Sequence, residues 1–151
     1  MANTQAMCTS FKGEILSGIH ALGTTVIRAG TGADTLKAAL YLASATVNAS
    51  TTAYSATGEV SGTNYSAGGI TVTNATAPTT SGTTGYWTPS ANFTYTNVTL
   101  ATAFDAVLVY NSTQSNKAIS VHTFGSQTIT AGTFTLTMPT SDATNALIRI
   151  A

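Results

Sequence analysis

The sequence predicts a mainly β protein, an antiparallel β-sandwich or jelly roll with one short N-terminal helix. Threonine makes up about a fifth of the 151 residues, and β-branched side chains favour strands. Short apolar stretches recur in the second half, spaced by about 8–12 residues with turn signals between them, which is typical of sandwiches and jelly rolls. The length suits one domain, with an N-terminal arm and helix at residues 1–33 and a β-sandwich at residues 34–151.

An amphipathic helix is predicted near the N-terminus. Thr9 or Ser10 can cap its start, and Gly23 is a suitable stop. Between them, large apolar residues recur at spacings of four, four and three, which places them on one stripe of the helix; they are Phe11, Ile15, Ile19 and Leu22. Two interpretations stay open: the helix closes the end of its own β domain, or it is an arm that docks on a partner subunit.

The middle of the chain is predicted to contain two strands separated by long loops. Residues 34–42 alternate apolar with polar side chains, which favours a half-buried strand, although the Ala and Leu residues also suit a helix. Residues 43–69 are rich in Ser, Thr and Gly and form a long connection of the kind that often carries contacts or function. Residues 70–73 are expected to form a short strand, and residues 79–85 another loop.

The second half is predicted to be the more regular part of the sheet structure. A bulge is expected near Asn97, because Phe93, Tyr95 and Val98 do not alternate regularly. Residues 111–116 form a polar hairpin loop. The predicted strands lie at residues 85–88, 92–100, 104–110, 118–124, 127–130, 133–138 and 146–150.

Charged residues are scarce, at 7% of the chain against about 25% in typical domains. Five basic residues balance five acidic ones, so the clustered Lys and Arg of a nucleic-acid or anionic-membrane surface are missing. No apolar run approaches the roughly 20 residues that span a bilayer. A neutral surface coated with threonine instead suits a chain that packs against neighbours in an assembly.

No catalytic or metal-binding motif is recognisable. His20 and His122 lie outside any His-Glu-x-x-His pattern and, together with Cys8, lack zinc-finger spacing. The glycines around Thr31 lack the third glycine of a dinucleotide-binding loop. Convergence of two carboxylates into a glycosidase pair stays as a weak alternative, since the acids are widely separated: Glu14, Asp34, Glu59, Asp105 and Asp142. We therefore expect no enzymatic activity, no cofactor and no metal.

Aromatic residues in or beside the predicted loops are the best candidates for contacts. Tyr and Trp are enriched in interface hot spots because they bury a large area and keep a polar tip. Subunit contact, stacking on a glycan and plain anchoring of the loops all stay open. Together with the helix stripe they form the predicted subunit interface: Phe11, Ile15, Ile19, Leu22, Tyr54, Tyr65, Tyr86 and Trp87.

The N-terminal sequence has neither the basic region nor the continuous apolar region of a secretory signal peptide. Cys8 is the single cysteine, so no internal disulfide is expected. Both observations favour synthesis in a reducing cytoplasm.

Five blocks of sequence, in order, are distributed along nearly the whole chain, from residue 1 to residue 151. They are MANTQAMCTSFK (1–12), DTLKAALYLASATVNASTTAYSATGEVSG (34–62), YSAGGITVTN (65–74), DAVLVYNSTQSNKAISV (105–121) and TLTMPTSDATNALIRIA (135–151). These blocks resemble a family of small β-rich virion structural proteins of tailed bacteriophages, which includes head decoration (cement) and tail-fibre-associated proteins. The resemblance implies a non-enzymatic component of the virion whose partners are other virion proteins and further copies of itself.

Two placements in the particle follow from the resemblance. As a decoration protein, the chain would pack on the head lattice, bridge major capsid subunits and stabilise the shell. As a tail- or fibre-associated oligomer, it would contact host surface glycans through its aromatic loops. The short length and the lack of a fibrous repeat favour decoration. Nucleic acid and membrane are not expected as partners.

Overall fold

The computed structural model describes residues 3–16, 18–23 and 32–151, except for the side chains of residues 12–14 and 16. Over this range the fold is mainly β, with a five-stranded and a three-stranded antiparallel sheet and one short helix, which confirms the predicted fold class. The elements are β1 (Ala6–Met7), α1 (Thr9–Leu16), β2 (Leu36–Leu42), β3 (Ile70–Thr71), β4 (Thr79–Ser81), β5 (Thr84–Trp87), β6 (Phe93–Asn111), β7 (Lys117–Leu136) and β8 (Ile148–Ile150).

Helix α1 begins where the sequence predicts and ends earlier. It stops at Leu16, so the prediction that it continues to Leu22 was wrong. Gly18 has φ 67°, and its N–H donates to the carbonyl oxygen of Ile15 at 3.0 Å. A glycine in this left-handed conformation closes a helix at no steric cost, which is why the apolar spacing does not extend the helix to Ile19.

The larger sheet has the strand order β1-β7-β6-β2-β3. Residues 36–42 form the strand that we favoured over a helix, but β2 is buried on both faces, because Ala39 and Tyr41 are as inaccessible as Ala38 and Leu40. The long connection between β2 and β3, residues 43–69, covers one of these faces. Within it, the carbonyl oxygen of Ser55 accepts a hydrogen bond from the Tyr41 hydroxyl. A strand in the interior of a sheet that is covered on both faces loses the simple alternation of burial.

Two long strands, β6 and β7, replace the five separate strands predicted for residues 92–138. They pair with each other along their whole length, from Phe93 with Leu136 at one end to Asn111 with Lys117 beside the connecting loop. Irregular positions interrupt the hydrophobic pattern without ending the strands. Asn97 has φ 52° at a shift in register, which confirms the predicted bulge, and Ala131 has φ 45° at a second shift. Beyond each extra residue, the positions that face inward and those that face outward are exchanged. The apolar alternation is therefore interrupted, and one continuous strand has the sequence pattern of several short ones.

The smaller sheet has the order β4-β5-β8. Residues 79–85 were expected to be a loop, and this was wrong, because β4 and β5 pair as a hairpin that turns through Gly82 with φ 57°. The side chains of β4 are exposed, so this strand has no hydrophobic alternation by which the sequence could indicate it.

Both sheets and the N-terminal segment share one hydrophobic core. Trp87 and Ile148 of the smaller sheet belong to the same buried cluster as Leu108 at the centre of the larger one. Cys8 and Phe11 belong to it too, and both are fully inaccessible. Among the described residues, no helix is long and apolar enough to cross a membrane.

Candidate functional site

The eight residues predicted to form a subunit interface fall into separate places in the fold. Phe11 and Trp87 are buried in the chain's own core, and Trp87 donates from Nε1 to the carbonyl oxygen of Thr76. The chain's own residues therefore cover these two side chains almost completely. The other six are half-buried, and their role as an interface stays a prediction: Ile15, Ile19, Leu22, Tyr54, Tyr65 and Tyr86.

Tyr54 and Tyr65 meet at the carboxylate of Glu59. The Tyr54 hydroxyl donates to Glu59 Oε2 at 2.6 Å, and the Tyr65 hydroxyl donates to Oε1 at 2.8 Å. The backbone N–H of Gly68 donates to Oε1 at 2.7 Å. Three donors on one carboxylate satisfy most of its hydrogen-bonding capacity and stabilise its negative charge. This side chain is therefore the polar centre of the long connection between β2 and β3.

Stacked rings bind this connection to the larger sheet. Tyr54 stacks on Tyr110 with ring centroids 4.8 Å apart, and Tyr65 stacks on Tyr95 at 5.9 Å. The hydroxyl of Tyr110 donates to the carbonyl oxygen of Gly68 at 2.8 Å. We call the group formed by Glu59 and its surrounding tyrosines the tyrosine cluster: Tyr41, Tyr54, Tyr65, Tyr95 and Tyr110. Its contacts support the loop-anchoring interpretation of Tyr54 and Tyr65.

The tyrosine cluster should make the fold sensitive to alkaline pH. Burial raises the pKa of Tyr41 from 10.0 to about 12, and burial followed by the hydrogen bond to Glu59 raises the pKa of Tyr65. In the unfolded chain these phenols lose their protons near pH 10.0, so between there and about 12 the unfolded state binds fewer protons than the folded state. The free energy of unfolding is then expected to fall as pH rises, by about 2 kcal/mol for Tyr41.

Urea unfolding at a series of alkaline pH values checks this. Tyrosinate absorbance of the folded protein, followed in parallel, reports when the phenols ionise. An unfolding free energy that stays constant through this pH window would contradict the assignment of buried, neutral phenols.

A second polar network joins the N-terminal segment to the hairpin loop between β6 and β7. Asn111 Nδ2 lies 2.8 Å from Asp34 Oδ2 and 3.1 Å from His20 Nδ1. Asp34 Oδ2 also accepts the backbone N–H of Ala21 at 2.7 Å, and Gln114 Nε2 donates to Asp34 Oδ1. Asp34 and Asn111 are buried, so the network holds residues 20–21 against the sheet.

An apolar groove lies between the N-terminal segment and the smaller sheet. It has a volume of about 630 Å³. Four of the predicted interface residues come together here, although they are far apart in the sequence: Ile15, Leu22, Tyr86 and Trp87. Ile150, the one large apolar side chain classed as exposed among the described residues, lies at the same groove with 48% of its surface accessible.

The half of the β6–β7 hairpin that lies away from its connecting loop carries no charged residue. We call this half, residues 93–104 of β6 and 127–136 of β7, the uncharged ribbon. No charged residue occurs at positions 60–104 or 118–141. Along β7, exposed threonines at 128, 130, 133 and 135 accompany half-buried Ile129, Phe134 and Leu136. One face of the ribbon thus carries β-branched polar side chains and the other an apolar stripe, without charges on either.

No group of three or more metal-ligating side chains occurs in the part of the chain that the structure describes. His122 lies 2.8 Å from the Ser120 hydroxyl, and burial lowers its pKa to about 4, so the imidazole is neutral at pH 7. Cys8 is buried.

The uncharged ribbon is the surface that analysis of the sequence missed. The sequence shows that residues 118–141 include no charged residue. Three short strands were predicted in this range, however, so it was not evident that one long strand, β7, carries the uncharged surface. No known protein family matches the chain, and no curated protein or solved structure matches it either.

Proposed function

We propose that this chain is a structural protein of a bacteriophage particle, a decoration (cement) protein that packs on the head lattice and stabilises it. The observation that carries the proposal is the uncharged β6–β7 ribbon, whose exposed threonine face and apolar stripe extend over the far half of both strands. Isolated proteins usually protect such surfaces with charge. The sequence blocks that resemble small phage virion proteins supply the biological setting.

The contacts of the tyrosine cluster favour the head over the tail. The tail alternative needs aromatic rings that are free to stack on a host glycan. Tyr54 instead stacks on Tyr110, and Tyr65 stacks on Tyr95. Both hydroxyls also donate hydrogen bonds to Glu59. A protein that reinforces a shell needs rigid, anchored connections, because mobile ones would yield under load.

Reinforcement would follow from simple energetics. A subunit that binds only the assembled lattice stabilises that lattice through the binding free energy at every site. An uncharged contact surface keeps this contribution nearly independent of ionic strength, since salt screens only charged interactions. The proposed work is therefore mechanical, and it needs neither a cofactor nor a catalytic group.

The copy number in the purified virion tests this proposal. Quantitative mass spectrometry against the major capsid protein should give on the order of hundreds of copies, commensurate with the shell, because each lattice position offers a site. Separated heads and tails, measured alongside, show which part carries the chain. A few to a few dozen copies that travel with tails would support the tail alternative, and absence from the particle would refute both placements.

A further inference from the structure

Within the described ranges, no strand pairs with the outer edge of β7 over most of its length. On one side β7 pairs with β6 from end to end. On the other side β1 pairs only with Ser120 and Val121. Beyond Val121, no strand in the described ranges borders residues 122–136. Every second residue of such an edge directs its backbone N–H and C=O away from the sheet, where they need a partner or water.

The opposite edge of the same ribbon is occupied. Thr99 in β6 donates its N–H to the carbonyl oxygen of Thr63 at 3.1 Å, and Asn64 Nδ2 donates to the carbonyl oxygen of Asn97 at 2.8 Å. A Cβ atom on Gly62 would overlap the carbonyl oxygen of Thr99, so the connection lies directly on the β6 backbone. The chain covers one edge of the ribbon with its own residues and, within the described ranges, leaves the other uncovered.

The outer edge also lacks the charged residues and prolines that usually protect an edge against pairing. Monomeric proteins place Lys, Pro or inward-pointing charges on such strands. Positions 122–136 contain no Lys, Arg, Asp, Glu or Pro. A register irregularity between Thr123 and Gln127 and a bulge at Ala131 interrupt the edge and leave two regular pairing sections, 127–130 and 132–136. Strand addition to such an edge is a recurrent mode of protein recognition.

We infer that the outer edge of β7 pairs with the same edge of a second copy of this chain, antiparallel, so that two five-stranded sheets become one continuous sheet. Identical strands related by a two-fold axis are self-complementary in backbone hydrogen bonding. The neutral edge brings no like charges together, and it offers no charge that would select a charged partner instead. The apolar stripe of Ile129, Phe134 and Leu136 then continues from one copy into the next.

This inference rests on the proposed function for its setting, since a two-fold pair would present two copies of every lattice contact at once. It is tested on the purified full chain without any virion component. A failure here therefore leaves the copy-number result unaffected, and the reverse also holds.

The test is the mass in solution of the wild type and of two matched variants. Thr128→Lys with Thr130→Lys places two ammonium groups per copy on the outer edge, with no acid nearby on that edge to pair with them. Thr94→Lys with Thr96→Lys places the same two charges on exposed positions of β6, one strand away from the edge. Light scattering coupled to size exclusion, over a concentration series, gives the dimer dissociation constant of each.

We expect the wild type and the β6 variant to have twice the 15.3 kDa chain mass. The β7 variant should dissociate at least about tenfold more readily, because like charges facing each other across strands oppose pairing. A monomeric wild type over the whole concentration series would overturn the inference. Equal dissociation constants for the two variants would overturn it too.

Amide hydrogen exchange of the wild type tests the same pairing without any substitution, so it applies even if the β7 variant fails to fold. In the wild type, the outward-directed amides among residues 122–136 should exchange more slowly at high protein concentration than at low concentration. The amides of β2, which lies in the interior of the sheet, should exchange at the same rate at both. An exchange rate at the outer edge that does not depend on concentration would overturn self-pairing.

Discussion

Replacing Gly69 by alanine is expected to destabilise the fold by about 4 kcal/mol or more, which is among the largest effects of a single substitution. Gly69 has φ 72°, a left-handed conformation that costs a residue with a Cβ atom about 1–2 kcal/mol. The added methyl group would also overlap the carbonyl oxygen of Ala38 in β2. The backbone of β2 cannot retreat, because it is paired on both sides by β6 and β3.

Gly82→Ala is the matched control for this substitution. Gly82 also has positive φ, at 57°, but a Cβ atom there meets nothing within 4 Å. It should cost only the conformational term, about 1–2 kcal/mol. Urea unfolding of both variants measures the difference, and equal losses would mean that the close approach of Gly69 to β2 has no energetic consequence.

Replacing Glu59 by alanine is expected to lower the free energy of unfolding by about 3 kcal/mol. The change removes the acceptor of the Tyr54 and Tyr65 hydroxyls and of the Gly68 N–H. Hydrogen bonds to a charged group contribute about 1.5–3 kcal/mol each, and donors left without an acceptor carry a desolvation cost. Glu59 is half-buried, so water replaces part of what is lost, and the sum is smaller than three full bonds.

Glu59→Gln separates the charge from the shape. The amide keeps one carbonyl oxygen as an acceptor and replaces the other with a donor, which now faces a hydroxyl. We expect about half the loss of the alanine variant, with the near-ultraviolet circular dichroism of the tyrosines largely kept. An alanine variant within about 0.5 kcal/mol of the wild type, the range of ordinary surface changes, would show that ring stacking alone holds the connection.

The sequence was sufficient for the fold class and for those strands whose sequence alternates simply. Residues 36–42 alternate apolar with polar side chains in the sequence, which was enough to predict β2, although the folded strand is buried on both faces. The region of β8 and the start of α1 were also predicted correctly. The bulge at Asn97 was predicted from its disturbed alternation. The continuity of β6 and β7 was not, because a bulge and a true strand end interrupt the alternation in the same way. The β4–β5 hairpin was missed because an exposed, threonine-rich strand resembles a loop in composition.

The candidate surfaces depended on long-range contacts that local patterns do not contain. Phe11 lies on the expected apolar stripe, but whether that stripe faces a core or a partner is decided by where β7 passes. Tyr54 and Tyr65 were singled out as loop aromatics, while Glu59 between them was considered only as a dispersed acid. The outer edge of β7 exists because of strand order, and strand order is set by pairings between distant parts of the chain.

The pairing of β1 with β7 sets the order in which the chain can complete its fold. Ala6 pairs with Val121, so β1 is synthesised long before the strand with which it pairs. The β6–β7 hairpin, joined by a short loop, closes at small sequence separation and can form early. Until β7 has been synthesised, Cys8 and Phe11 lack part of the core that buries them. Nascent chains that stall before that point leave these apolar side chains exposed, and surface of this kind is prone to aggregation.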